Sequence, residues 1–135
     1  QEKGYAEKDP SFDIDGIDAG HKLSILSGLA FGGVPDIRSI RMEGVRPVSS
    51  LDISFADELG YRVRLLGIAR ATEKGLEQTV EPCLVPKNSV VAAVEGPLNA
   101  VYIDGDFSGK ILLTGAGAGG DATASAVVAD IVDIA

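Results

Sequence analysis

The stretch Tyr61-Arg62-Val63-Arg64-Leu65-Leu66-Gly67-Ile68-Ala69-Arg70, which turns at Thr72–Gly75 and returns as Leu76–Val85, decides the fold class. Tyr61, Val63 and Leu65 alternate with Arg62 and Arg64, the period of two that belongs to a half-buried strand. Leu66 and Ile68 then shift the apolar parity, which predicts a bulge or a section buried on both faces. The polar turn predicts that the second segment is the other arm of a hairpin. Pro82 has no N–H to give to a ladder, so it places the end of the returning strand at an edge.

Outward from this hairpin, helices are expected on the N-terminal side. Gln1–Asp15 is polar and rich in carboxylates, with a turn at Asp9-Pro10. A helix is predicted from Asp15-Gly16, with Asp15 as its N-cap and Ile17, Leu23, Ile25, Leu26 and Leu29 as its apolar stripe. Gly32-Gly33 and Pro35 stop it. A short strand is predicted around Ser39–Met42. A second helix follows, capped by Ser49 or Ser50 and ended by Gly60, with Leu51, Phe55 and Leu59 as its core face.

On the C-terminal side, Ser89–Val94 reads as a short helix. Leu98–Ile103 and Lys110–Thr114 read as a second hairpin around Asp104-Gly105-Asp106. The glycine-rich loop Gly115–Gly120 then feeds a last helix from Thr123 to Ile134. No internal repeat and no linker divides the sequence. Helices and hairpins mixed in this way predict an α+β fold in a single domain over 1–135: a mixed or antiparallel sheet with helices covering one face.

Composition narrows the functional classes. The chain has 135 residues, 45% hydrophobic and 24% charged, which is ordinary for one globular domain. Its net charge of −8 argues against nucleic acid as a partner, because phosphate binding needs a basic face, and against an anionic membrane surface. No run of about eighteen apolar residues could span a membrane. The single cysteine, Cys83, excludes an internal disulfide and suits a reducing, cytoplasmic compartment. No clustered Cys and His predict a metal site. The sequence starts at Gln1 and its one methionine is Met42, so it is expected to be an excerpt of a longer protein.

Chemistry concentrates in two places. In the first, Glu7, Asp9, Asp13, Asp15, Asp18 and Lys22 lie close in sequence. Asp18 and Lys22 are four apart on the first predicted helix, so they share a face about 6 Å apart. Spacing alone describes an ordinary surface pair worth about 0.3–0.5 kcal/mol. A calcium loop does not fit: aligning Gly16 with the invariant glycine of an EF-hand puts Lys22 where a bidentate glutamate is needed. Chemically, a lysine held among carboxylates can deliver a proton to a developing alkoxide, and carboxylates can hold a substrate ammonium.

The run from Gly4-Tyr5-Ala6 through Asp9-Pro10, Asp13-Ile14-Asp15-Gly16 and Asp18 to Lys22 resembles the signature of homoserine dehydrogenases, and every signature position is met. The resemblance continues through Leu23–Leu26, Gly60–Ala69, Asn99-Ala100-Val101 and the glycine loop. It implies the catalytic-domain fold of that family and an oxidoreductase that interconverts L-aspartate 4-semialdehyde and L-homoserine with NAD or NADP. It implies Lys22 as the catalytic acid/base, with Glu7, Asp13 and Asp18 binding substrate. It also implies a homodimer formed through the sheet. Members of the family begin with a nucleotide-binding domain and many end with a regulatory domain. The resemblance therefore implies that most of the cofactor is bound by a preceding domain. His21 is not a signature position and reads as a solvated or packed helix residue.

The second place is Gly115-Ala116-Gly117-Ala118-Gly119-Gly120, which contains G-x-G-x-x-G between a predicted strand and a predicted helix. No second strand follows to supply the acidic ribose partner, and Asp121 stands where a Walker loop needs lysine. The bare fingerprint is equally that of close strand-to-helix packing. The resemblance implies that Gly117 and Gly119 lie near the nicotinamide end of the cofactor and form only part of its site.

Overall fold

In the computed structural model, which describes residues 10–96 and 98–135, the chain runs α1 (Ser11–Ile14), α2 (Ile17–Phe31), a 3-10 turn (Ile37–Ser39), β1 (Arg41–Met42), α3 (Ser50–Glu58), β2 (Tyr61–Thr72), β3 (Gly75–Pro86), β4 (Leu98–Gly105), β5 (Gly109–Ala116) and α4 (Gly120–Ile134). These residues form two compact units, 10–87 and 88–135.

The first unit is built on a mixed sheet of order β1-β3-β2. Strands β2 and β3 are antiparallel, paired from Tyr61↔Pro86 to Thr72↔Gly75. Every residue of β2 faces one of β3, so the expected bulge does not exist. The parity shift at Leu66 and Ile68 has another cause. Both are half-buried on the face opposite Leu65, so β2 carries apolar side chains on both faces. The turn closes through the Thr72 hydroxyl, which accepts from the Lys74 N–H and donates to the Gly75 carbonyl.

Strand β1 lies parallel to β3, with Arg41 opposite Thr79 and Met42 opposite Val80. The Val80 carbonyl accepts from the Glu43 N–H, so Val80 turns its backbone groups toward β1. Pro82 lies two residues on and turns the same way, past the last β1 partner. Its missing N–H therefore breaks no ladder bond, as the edge reading requires.

One sheet face is covered by α2. Leu23, Ile40 and Val80 form the buried cluster, with Ala19, Leu65 and Ala69 packed around it. The buried face of α2 is Gly20, Leu23, Ser24 and Ser27, a stripe at helical spacing made mostly of small residues. The sequence reading placed Ile25, Leu26 and Leu29 there, and they are exposed instead, Leu29 by 80%. Proximity is the reason: a Cβ added to Gly20 would stand 2.7 Å from the Met42 sulfur. At Gly20 only a small side chain fits without moving Met42, whereas the larger Leu23 is seated over Gly67 of β2. The Ser27 hydroxyl donates to the Leu23 carbonyl at 2.6 Å and meets the Gln78 side chain at 2.5 Å, so its burial leaves no polar atom unpaired.

Helix α3 departs from expectation in the same way. It turns Ala56 inward, whereas Leu51, Phe55 and Leu59 are exposed. Its start is as read: Ser49 is the N-cap, in a capping box with Asp52.

The approach to α2 also differs. Residues 11–14 were expected in a loop but form one helical turn, because the Pro10 carbonyl accepts the N–H groups of Asp13 and Ile14 at 3.1 and 2.9 Å. Asp15 closes this turn and does not cap α2. That position belongs to Gly16, in the left-handed region with φ +79°.

In the second unit, β4 and β5 pair antiparallel from Leu98↔Ala116 to Gly105↔Gly109. Helix α4 begins at Gly120, before the expected Thr123. Ser89–Val94 forms turns, not the expected helix: the Ser89 hydroxyl accepts the Ala92 N–H at 3.2 Å and the Val91 carbonyl accepts the Val94 N–H at 3.4 Å. Leu113, Val128 and Ile131 are exposed, so apolar surface lies open on both the hairpin and the helix.

Candidate active site

Asp18 and Lys22 occupy the first two turns of α2, one turn apart. Their side chains meet as an ion pair, Lys22 Nζ to Asp18 Oδ2 at 2.6 Å. Both remain open to solvent, with side-chain exposures of 51% and 37%. An incoming small molecule can therefore reach both charges. As a structural bond the pair is worth only about 0.3–0.5 kcal/mol, because solvent screens it.

Asp13 lies on α1 and is exposed. Among the described residues its side chain forms no hydrogen bond or ion pair, so it is not bonded into the Asp18–Lys22 pair. Glu7 falls outside the described residues. His21 is an exposed helix residue whose ring stacks on Phe12, centroids 5.9 Å apart and planes 17° from parallel, tying α1 to α2.

One contributor to this region was not found by reading the sequence. Arg46 lies 31 positions beyond Asp15, on the loop after β1, and its Nε and Nη2 engage the two oxygens of the Asp15 carboxylate, Nη2 to Oδ2 at 3.0 Å. The same Nη2 donates to the Ser11 hydroxyl at 2.9 Å. Beside it the Val45 N–H donates to the Ile14 carbonyl at 2.8 Å. Gly44 lies against the backbone of Ile14 and Asp15, where any Cβ would collide. The sequence signals only part of this: Gly44 among larger neighbours hints at a close approach, but not to what.

In the glycine loop, Gly115 lies opposite Asn99 at the end of the β4–β5 ladder. The Asn99 side chain rests directly on Gly117, leaving no room for a Cβ. Around Gly115, Gly119 and Gly120 a Cβ would meet nothing within 4 Å, so the loop is tight on one side and open on the other. Asp121 in the first turn of α4 opposes an anionic phosphate at that helix start.

A separate cavity of about 250 Å³ is lined mainly by Pro47, Val48, Val63, Pro82 and Leu84, with Asp52 and Cys83 at its wall. It holds no acid–base pair. Burial, and then the charge of Glu81, push the Cys83 thiol above its ordinary range, which lowers its thiolate fraction. Asp52 is engaged in the Ser49 cap. Among the described residues no helix is long and apolar enough to cross a membrane.

The family model described as homoserine dehydrogenase matches residues 1–132. The homoserine dehydrogenase of Neisseria gonorrhoeae is 53% identical over the whole chain, which spans 31% of that protein's length. A crystal structure of a homoserine dehydrogenase from Thiobacillus denitrificans superposes with a TM-score of 0.94 at 52% identity, over 99% of this chain and 31% of its own. A hyperthermophilic archaeal homoserine dehydrogenase in complex with NADPH superposes with a TM-score of 0.74 at 33% identity, over 97% of this chain and 36% of its own. The chain thus spans about a third of the relatives it matches, and it belongs to the homoserine dehydrogenase family.

Proposed function

We propose that this chain is the substrate-binding, catalytic and association region of an NAD(P)-dependent homoserine dehydrogenase, acting on the route to threonine, isoleucine and methionine in the cytoplasm. The observation that carries the reading is the Asp18–Lys22 pair at 2.6 Å, open to solvent, at the end of a family signature met at every position.

The mechanism follows from charge and reach. Glu7, Asp13 and Asp18 supply negative charge for the substrate ammonium, and holding that end of a short amino acid fixes where its aldehyde or alcohol carbon lies. The bound nicotinamide cofactor supplies or accepts the hydride. Lys22 Nζ donates a proton to the carbonyl oxygen during reduction and takes it back during oxidation. Asp18 holds Lys22 Nζ at 2.6 Å and releases it when the substrate's own cation takes its place. Gly117 and Gly119 border the nicotinamide end, NAD or NADP, where the open side of the loop admits a flat ring.

The test is Lys22→Ala in the full-length protein. Turnover is expected to fall by about 10²–10⁴-fold with cofactor binding intact, the usual range for loss of a general acid. Near-normal turnover would remove Lys22 from the role.

A second reading concerns the chain by itself, as a non-catalytic folding and association module. The exposed apolar residues of β4, β5 and α4 favour it, because such surface drives pairing, including homodimer formation through the sheet. Light scattering and an activity assay on the 135-residue chain distinguish the two, since semialdehyde reduction by the chain alone would overturn the module reading.

A further inference from the structure

The Asp18–Lys22 pair sits on a helix whose start is held from outside. Helix α1 has only four residues and no buried side chain, so it cannot fix that start alone. The position of Gly16, and with it the first turn of α2, is set by its own packing on Val80 and by what grips residues 11–15. That grip is a chain of contacts running out from the sheet. Glu43 is bonded to Val80 on β3, Gly44 presses on Ile14 and Asp15, Val45 bonds the Ile14 carbonyl, and Arg46 forks onto Asp15 while reaching Ser11.

We propose that Arg46, working with Gly44, is a positioning residue for the Asp18–Lys22 pair: the guanidinium holds the α1–α2 junction, and the junction sets where the pair presents its charges. Three features support this. Asp18 follows the braced junction by two residues. Among the described residues, Lys22 and Asp18 are bonded only to each other, so within that set it is the backbone of α2 that orients them. Arg46 is more than half exposed, and a solvent-screened pair adds little to global stability, so its consequence should be felt in alignment. A planar fork on a carboxylate fixes direction as well as distance, which a lysine ammonium does not. The inference rests on Lys22 being the proton-transfer group.

The experiment uses the full-length enzyme with Arg46→Met, Arg46→Lys, Asp15→Asn, the Arg46→Met/Asp15→Asn double variant, and Lys22→Ala as reference. Misalignment of an acid by a fraction of an ångström should lower kcat/KM for homoserine about 10-fold in Arg46→Met, with cofactor KM unchanged within about twofold. Arg46→Lys is expected to recover only part of the loss. Asp15→Asn is expected to reproduce it, and the double variant to be no worse than either single one, because both remove the same brace. A kcat/KM in Arg46→Met within about twofold of the parent overturns the proposal, as does a lowered melting temperature with unchanged kinetics. If those results come with an inactive Lys22→Ala, the brace fails and the acid stands. A fully active Lys22→Ala removes the acid and the brace together.

Discussion

A Cβ on Gly16 would stand 2.9 Å from Cγ1 of Val80, so the backbone that opens α2 lies directly on the largest side chain that is fully buried among the described residues. Two constraints meet at this position. The left-handed φ of +79° disfavours any side chain, and Val80 is fully buried, so it could move aside only by displacing its neighbours in the core cluster. The left-handed conformation alone costs a non-glycine residue about 1–2 kcal/mol. Gly16→Ala is therefore expected to lower stability by about 2–3 kcal/mol, read as a displaced denaturation midpoint of the full-length protein. A loss below about 0.5 kcal/mol, the range of ordinary surface changes, would show that Val80 does not fix the helix start.

Ser49 and Asp52 make a pH-dependent contribution at the start of α3. The Ser49 hydroxyl and then its backbone N–H donate to the Asp52 carboxylate and hold it below the usual carboxylate range. A lowered folded-state pKa means that the stabilisation is present above the unfolded value of about 3.9 and is lost as pH falls through the folded one. Ser49→Ala is expected to cost about 1 kcal/mol at neutral pH. The cost should shrink in acid, where Asp52 is protonated in both proteins. It should not vanish, because the Asp52 N–H also donates to the Ser49 hydroxyl. Urea titrations at pH 7 and pH 3 check this, and a penalty that grows in acid would contradict the sign.

The sequence was most legible where local patterning acts alone. The β2–β3 hairpin, its turn at Thr72–Gly75, the Ser49 cap and the second hairpin all follow from alternation and turn chemistry within a few residues. The α+β class followed from their order. The inward faces of α2 and α3 were not legible. Hydrophobic periodicity selects the largest apolar residues, but the small residues Gly20 and Ala56 are the ones buried, while Leu29 and Leu59 are exposed. Nothing local encodes the close approach at Gly20, because it is set by Met42 on β1.

The candidate site divides along the same line. Asp18 and Lys22 were readable because four residues of helix bring them together whatever the tertiary structure. Arg46 was not, since its link to Asp15 crosses 31 positions and depends on where β1 leaves the sheet. Asp15 looked like a cap because aspartate before a helix often is one. Its carboxylate is instead held by Arg46, and Gly16 takes the cap position.

Asn99 and Gly117 offer the most direct test of the glycine loop. The Asn99 side chain lies where a Cβ on Gly117 would be, so the two positions are coupled sterically. Gly117→Ala must push Asn99 aside or move the loop. If the loop borders the nicotinamide, the expected outcome in the full-length enzyme is a rise of about 10-fold in cofactor KM. Asn99→Ala removes the obstruction, so the double variant should bind cofactor better than Gly117→Ala alone, with a favourable coupling of about 1 kcal/mol or more. Homoserine KM, measured at saturating cofactor, should change much less than cofactor KM across the series. Strict additivity would show that the side chains do not collide. A shift confined to homoserine KM would move the loop from the cofactor to the substrate.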